Sequence, residues 1–205
     1  EGGDLKVDKG GLEVTGKVPG QDWGVMVTTD TGRALIRNGE TLKAAHGVYV
    51  NGDIFGALIT MWNFEDEATT ATIDGKLRFV GGKILFAEGA AADVNHLFNL
   101  VVTGDAQLWG GEFEPLINPT TSAICEFIKT EKELNIDAAF TISPRNGDPT
   151  ITPYSGGAWL VLRSEDGFAD QNNPTNGDPL DWDMDRHQGE DPKNWDAIRA
   201  KLVAD

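Results

Sequence analysis

The chain has 205 residues, enough for one domain with a sizeable core, and its 40% apolar content excludes wholesale disorder. Lys and Arg number 17 against 33 Asp and Glu, a formal charge of −16; that field repels nucleic-acid phosphates and anionic lipid, so neither is an expected partner. One cysteine, Cys125, leaves no intrachain disulfide, no apolar run reaches the length of a membrane span, and 25 glycines favour a turn-rich all-β chain.

In chain order, Leu5-Lys-Val7 reads as a short strand after a charged, Gly-rich start at Glu1. A start at Glu rather than Met points to a removed leader or a trimmed sequence. Pro19-Gly20 turns the chain before strands at Val25–Val27 and Ala34–Ile36, with Asn38-Gly39 as a further turn signal. Val48–Ile54 reads as a strand that continues into Phe55 to Trp62, where apolar residues run without alternation, as expected of a strand buried on both faces or lying in an oligomer interface. Ala71 to Phe86 reads as two or three strands bent at Gly75 and Gly81-Gly82. Leu97 to Phe113 carries more strands, residues 124–140 read as strand, turn, strand, Asn146-Gly147 is a turn signal, and Ala158–Leu162 is the last clear strand. Flanked by Ile124 and Phe127, Cys125 is expected to be a buried small hydrophobe.

Composition then shifts. Residues 1–164 are expected to form the β domain and 165–191 an acidic Asn/Asp/Gly/Pro-rich loop segment. Asp191-Pro192 is a helix start, so 192–205 is expected to be a short C-terminal helix. Trp195, Ile198 and Leu202 would form its apolar face, docking on the β domain or on a neighbouring subunit.

A phrase recurs along the chain: apolar, any, apolar, any, Gly, any, apolar. It stands at 12–18, 48–54 and 100–106, at 77–84 with one extra residue, and at 134–140 with Ala138 for glycine. Successive Gly or Ala positions are separated by 36, 29, 23 and 34 residues. The phrases resemble the strand-turn-strand units of right-handed parallel β-helix proteins, a group that includes phage tail spikes and polysaccharide lyases. The resemblance covers roughly residues 10–142 and implies an irregular parallel β-helix. It carries no catalytic residue with it, because the phrase holds only structural positions. The irregular period keeps a jelly roll or β-sandwich as the other all-β architecture.

Candidate chemistry is sparse. In Asp181-Trp-Asp-Met-Asp185 an extended backbone would bring carboxylates at i, i+2 and i+4 to one face. With Asp178 upstream, Asp181, Asp183 and Asp185 are candidate ligands for a structural Ca2+, which takes six to eight oxygens from flexible loops. Glu112 and Glu114 flank Phe113 near Trp109, a combination that suits carbohydrate: carboxylates for polar contact and an indole for stacking on a sugar ring. Glu65-Asp-Glu67 beside Trp62 repeats that theme. His46, His96 and His187 lack zinc-ligand spacing, and there is no nucleophile elbow, phosphate loop or basic cluster. Trp23, Trp182 and Trp195 fall in a loop, the acidic segment and the helix, places from which Trp anchors interfaces.

These features predict a non-enzymatic structural or interaction protein, a homo-oligomeric subunit of a virion-surface or extracellular assembly of the decoration, fibre or spike type. The alternative is an extracellular carbohydrate-binding or carbohydrate-active β protein with a polysaccharide partner. The scarcity of Lys and Arg favours binding over lyase chemistry, which needs a basic residue at the cleft.

Overall fold

The structure, a computed structural model, describes residues 4–7, 9–28, 32–37, 39–56, 70–85, 99–117, 126–137, 139–143, 145–146, 158–166, 175–176, 180–185 and 197–202. Among these residues the regular elements are all β-strands. No helix among the described residues is long and apolar enough to cross a membrane.

The chain winds as a parallel β-solenoid, each turn adding one strand to each of three sheets, A, B and C. The first turn is β1 (Asp4–Val7), β2 (Leu12–Val14) and β3 (Val25–Val27). The second is β4 (Arg33–Ile36), β5 (Thr41–Ala44) and β6 (Val48–Asn51). The third is β7 (Asp53–Gly56), β8 (Thr70–Asp74) and β9 (Leu77–Gly81). The fourth is β10 (Lys83–Leu85), β11 (Asn99–Val102) and β12 (Ala106–Leu108). The fifth is β13 (Gly111–Phe113), an extra β14 (Leu116–Ile117), β15 (Phe127–Thr130) and β16 (Leu134–Ile136). Beyond it come β17 (Phe140–Ile142), β18 (Arg145–Asn146), β19 (Ala158–Ser164), β20 (Thr175–Asn176), β21 (Leu180–Asp185) and β22 (Ala197–Leu202). Sheet A runs β1-β4-β7-β10-β13-β17-β20, sheet C runs β3-β6-β9-β12-β16, and sheet B runs β2-β5-β8-β11-β15-β19 before ending in β22 and β21. This parallel stacking is the solenoid alternative; a sandwich or jelly roll would pair its strands antiparallel.

Strict alternation in short strands builds the core. In Val48-Tyr-Val50, Leu77-Arg-Phe79 and Leu134-Asn-Ile136 the outer pair is buried and the middle residue faces outward. In-register pairing then stacks like on like. Val27, Val50, Phe79, Leu108 and Ile136 follow one another up sheet C, all buried. Phe79, Phe113 and Phe140 are the largest fully buried side chains, and Phe79 meets Phe140 edge to face at 6.2 Å.

The three corners differ. Passage from B to C takes two to three residues in most turns (75–76, 103–105, 131–133), and passage from C to A is as short (52, 82, 109–110, 137–139). Every connection from A to B after the second turn is longer: 57–69, 86–98, 118–126 and 147–157. At the tight C-to-A corner the turns nearly touch, and Gly82 and Gly111 hold φ of 92° and 81° there, a left-handed geometry that side chains disfavour.

The C-terminal part differs from expectation. Ala197–Leu202, placed by the sequence in a helix with Ile198 and Leu202 on its apolar face, is strand β22, antiparallel to both β19 and β21. The residues alternate apolar at 198, 200 and 202 with basic at 199 and 201, a period-two pattern that suits a strand, and a lone helix of this length is marginal in water. Trp195 lies outside the described residues, as do Cys125, Trp62 with Glu65–Glu67, His96 and His187. The acidic segment, expected as loop, contributes β20 to sheet A and β21 to sheet B. Asn146, expected in a turn, pairs with Ile117 in the small β14–β18 sheet.

Candidate functional site

Two outward-facing rows of side chains carry the chemistry of the described surface. The first climbs sheet A through Asp4, Arg33, Asp53, Lys83, Glu112 and Thr141, which occupy consecutive register positions. Charge alternates in sign from Asp4 to Glu112, so each turn attracts the next. Arg33 grips Asp4 through two bonds, Nε to Oδ1 at 2.9 Å and Nη2 to Oδ2 at 3.1 Å. The Lys83 backbone N–H donates to Asp53 Oδ1 at 2.9 Å. Lys83 Nζ lies 3.3 Å from Glu112 Oε2 and also bonds Glu114 Oε1.

The hydrogen bond from Ser143, aided by Lys83, holds the Glu112 carboxyl below the usual carboxylate range. The bond to Glu114 and then that to Glu112 raise Lys83 above the usual lysine range. A shallow open groove of about 630 Å³ lies over this row, lined by Asp53, Lys83, Glu112, Ala139, Thr141 and the glycines between them. An acid–base pair for glycoside cleavage needs one carboxyl kept protonated near neutral pH. Glu112 has the opposite bias, and both glutamates converge on one ammonium group.

The second row climbs sheet C through Met26, Tyr49, Arg78, Gln107 and Asn135. Trp23, just before β3, sets its ring 5.8 Å from Tyr49 at a 51° tilt. Lys76 Nζ stands 4.5 Å from the Trp23 ring centre. The Arg78 guanidinium carbon is 5.2 Å from the Trp23 ring and 4.3 Å from the Trp109 ring, within cation–π range of both indoles. Arg78 Nε donates to Gln107 Oε1 at 2.5 Å, and Trp109 Nε1 donates to Asn135 Oδ1 at 2.9 Å. Trp109 is the one large exposed hydrophobic residue among those described, at 38%.

The residues singled out from the sequence are thus divided. Trp109 follows β12 of sheet C, while Glu112 lies in β13 of sheet A and Glu114 follows it, so the indole and the carboxylates belong to adjoining sheets. Asp178 lies outside the described residues; Asp181, Asp183 and Asp185 occupy β21, in register with Lys201, Arg199 and Ala197. Among the described residues no group of three or more His, Cys, Asp or Glu side chains is placed to hold a metal ion. Tyr49, Lys76 and Arg78 were not singled out. Their signal is the spacing of Tyr49, Arg78 and Gln107, which recur 29 residues apart (78 − 49 and 107 − 78).

No protein-family model and no curated protein sequence matches the chain.

Proposed function

We propose that the protein is a non-enzymatic structural or interaction protein, a solenoid rod serving as a homo-oligomeric subunit of a virion-surface or extracellular assembly of the decoration, fibre or spike type. The observation that carries this reading is the sheet A charge row. The carboxylates best placed for chemistry, Glu112 and Glu114, are matched to Lys83 in the adjacent turn, as Asp4 is to Arg33 in the same sheet and Glu13 to Lys43 in sheet B. Acid groups used in this way bind turn to turn, which is what a rod needs.

The ends of the rod supply the association surface. β1, β2 and β3 each have a neighbouring strand on one side only among the described strands. Open strand edges pair readily with another chain unless covered. Gel filtration with light scattering tests the reading. A stable homo-oligomer is expected, and a clean monomer at high concentration overturns it.

A further inference from the structure

We infer that the outer face of sheet C is a binding site for an acidic oligosaccharide, with one sugar carboxylate or sulfate seated at Arg78 and Lys76 and sugar rings stacked on Trp109 and Trp23. This site does not depend on the assembly role proposed above.

Hydrogen-bond direction gives the polarity of the ligand. Gln107 spends its carbonyl oxygen on Arg78 Nε, and Asn135 spends its own on the Trp109 indole N–H. Each amide keeps both N–H bonds of its NH2 group as donors for a ligand. Arg78 uses only Nε in that network, so its terminal nitrogens add further donors, and Lys76 adds an exposed ammonium group. Arg78, Lys76, Gln107 and Asn135 therefore offer donors and positive charge, the complement of an oxyanion.

Ring geometry gives the rest. The two indoles flank the guanidinium, so one anionic group at Arg78 would have an aromatic surface on either side along the rod. Turns are spaced by about 4.8 Å, so the levels of Tyr49, Arg78 and Gln107 match a short run of linked sugars lying parallel to the axis. A densely charged polymer such as single-stranded nucleic acid also combines stacking with phosphates. The net charge of −16 opposes it, and the strip supplies positive charge at one level of the rod only. A sparsely charged glycan meets that single level without crowding further anions against the acidic body.

The test is titration of the intact chain, followed by tryptophan fluorescence and calorimetry, with a panel of uronate, sialylated and sulfated oligosaccharides. Methyl-esterified or desulfated counterparts and a thymidine oligonucleotide serve as comparisons. An acidic member is expected to perturb the fluorescence and to bind at least about tenfold tighter than its neutral counterpart. Gln107→Glu is the informative variant. It keeps the acceptor for Arg78 and turns the outward donor into a carboxylate, so binding should fall by about tenfold or more while the melting temperature does not drop. Arg78→Gln should also abolish the preference for the charged sugar. Equal binding of acidic and neutral sugars, tighter binding of the oligonucleotide, no binding across the panel, or unchanged affinity in Gln107→Glu would each overturn the assignment.

Discussion

Gly82 lies so close above Gly52 that a methyl group on it would sit 2.1 Å from the Gly52 carbonyl oxygen and 2.3 Å from its carbonyl carbon. Those are backbone atoms of the turn below, which cannot swing aside. The position also has φ of 92°. Gly82→Ala should therefore cost about 3 kcal/mol or more, combining left-handed strain with a forced separation of the turns. Gly20→Ala is the control: φ is 75° there, but nothing lies within 4 Å of the added carbon, so about 1 kcal/mol is expected. Urea unfolding of the two variants distinguishes them; equal losses would remove close turn-to-turn contact as the cause.

The aromatic stack inside the rod should dominate its stability. Phe79 is fully buried and touches Phe140 edge to face. Phe79→Ala is expected to cost about 3–5 kcal/mol, and Phe79→Leu clearly less, by calorimetry or denaturant titration. A loss under about 1 kcal/mol would mean that the turns collapse around the vacancy.

Thr103 clips one turn to the next at the B-to-C corner. Its Oγ1 donates to Asp74 Oδ1 at 2.8 Å and accepts the Gly75 N–H at 3.0 Å. Thr103→Val keeps the shape and removes both bonds, so a loss of about 1–2 kcal/mol is expected. Thr103→Ser should recover most of it, and failure of that rescue would point to the methyl group instead.

The charge row gives stability a pH signature. Glu112 is shifted below 4.5, so its contribution is complete above that value and is lost as pH falls through its folded-state pKa. Lys83 is shifted above 10.5, so its contribution is complete below that value and is lost as pH rises through its folded-state pKa. The row should thus be neutral to pH between those limits and weaken outside them. Glu112→Gln should flatten the acid limb of a melting-temperature profile. Lys83→Met, which frees two glutamates from their shared cation, should cost on the order of 1 kcal/mol at neutral pH, less at high salt. An unaltered acid limb in Glu112→Gln would assign acid lability to other carboxylates.

The strands of the rod were legible because alternation survives in many of the short runs, such as Val25-Met-Val27, Leu77-Arg-Phe79 and Phe140-Thr-Ile142. The period was harder to read, for a physical reason. The recurring phrase marks two different corners. Gly16 and Gly104 lie between sheets B and C, whereas Gly52 lies between C and A and Gly81 ends β9 at that same corner. Within one corner the count is regular: 81 − 52 is 29, and 104 − 16 is 88, three turns of about 29. Mixing the corners scrambled it, and the candidate strip was hidden with it, since Tyr49, Arg78 and Gln107 are neighbours only once that period is known. The expectation for the last strand failed because Ile198 and Leu202 fit a helical face and an alternating strand equally well, and only the pairing with β19 and β21 decides between them.

From the third turn on, the strands of sheets A and B are separated in sequence by more residues than those at the other two corners. A wall whose hydrogen bonds run only between successive turns does not register how much chain leaves and re-enters at one edge, provided the strands return to the same rung. Residues could be added at 57–69 or 86–98 without changing any rung of sheet C, where the aromatic strip lies. The sequence distance between sheets A and B is thereby free to vary, while the rungs of sheet C are held to a fixed register.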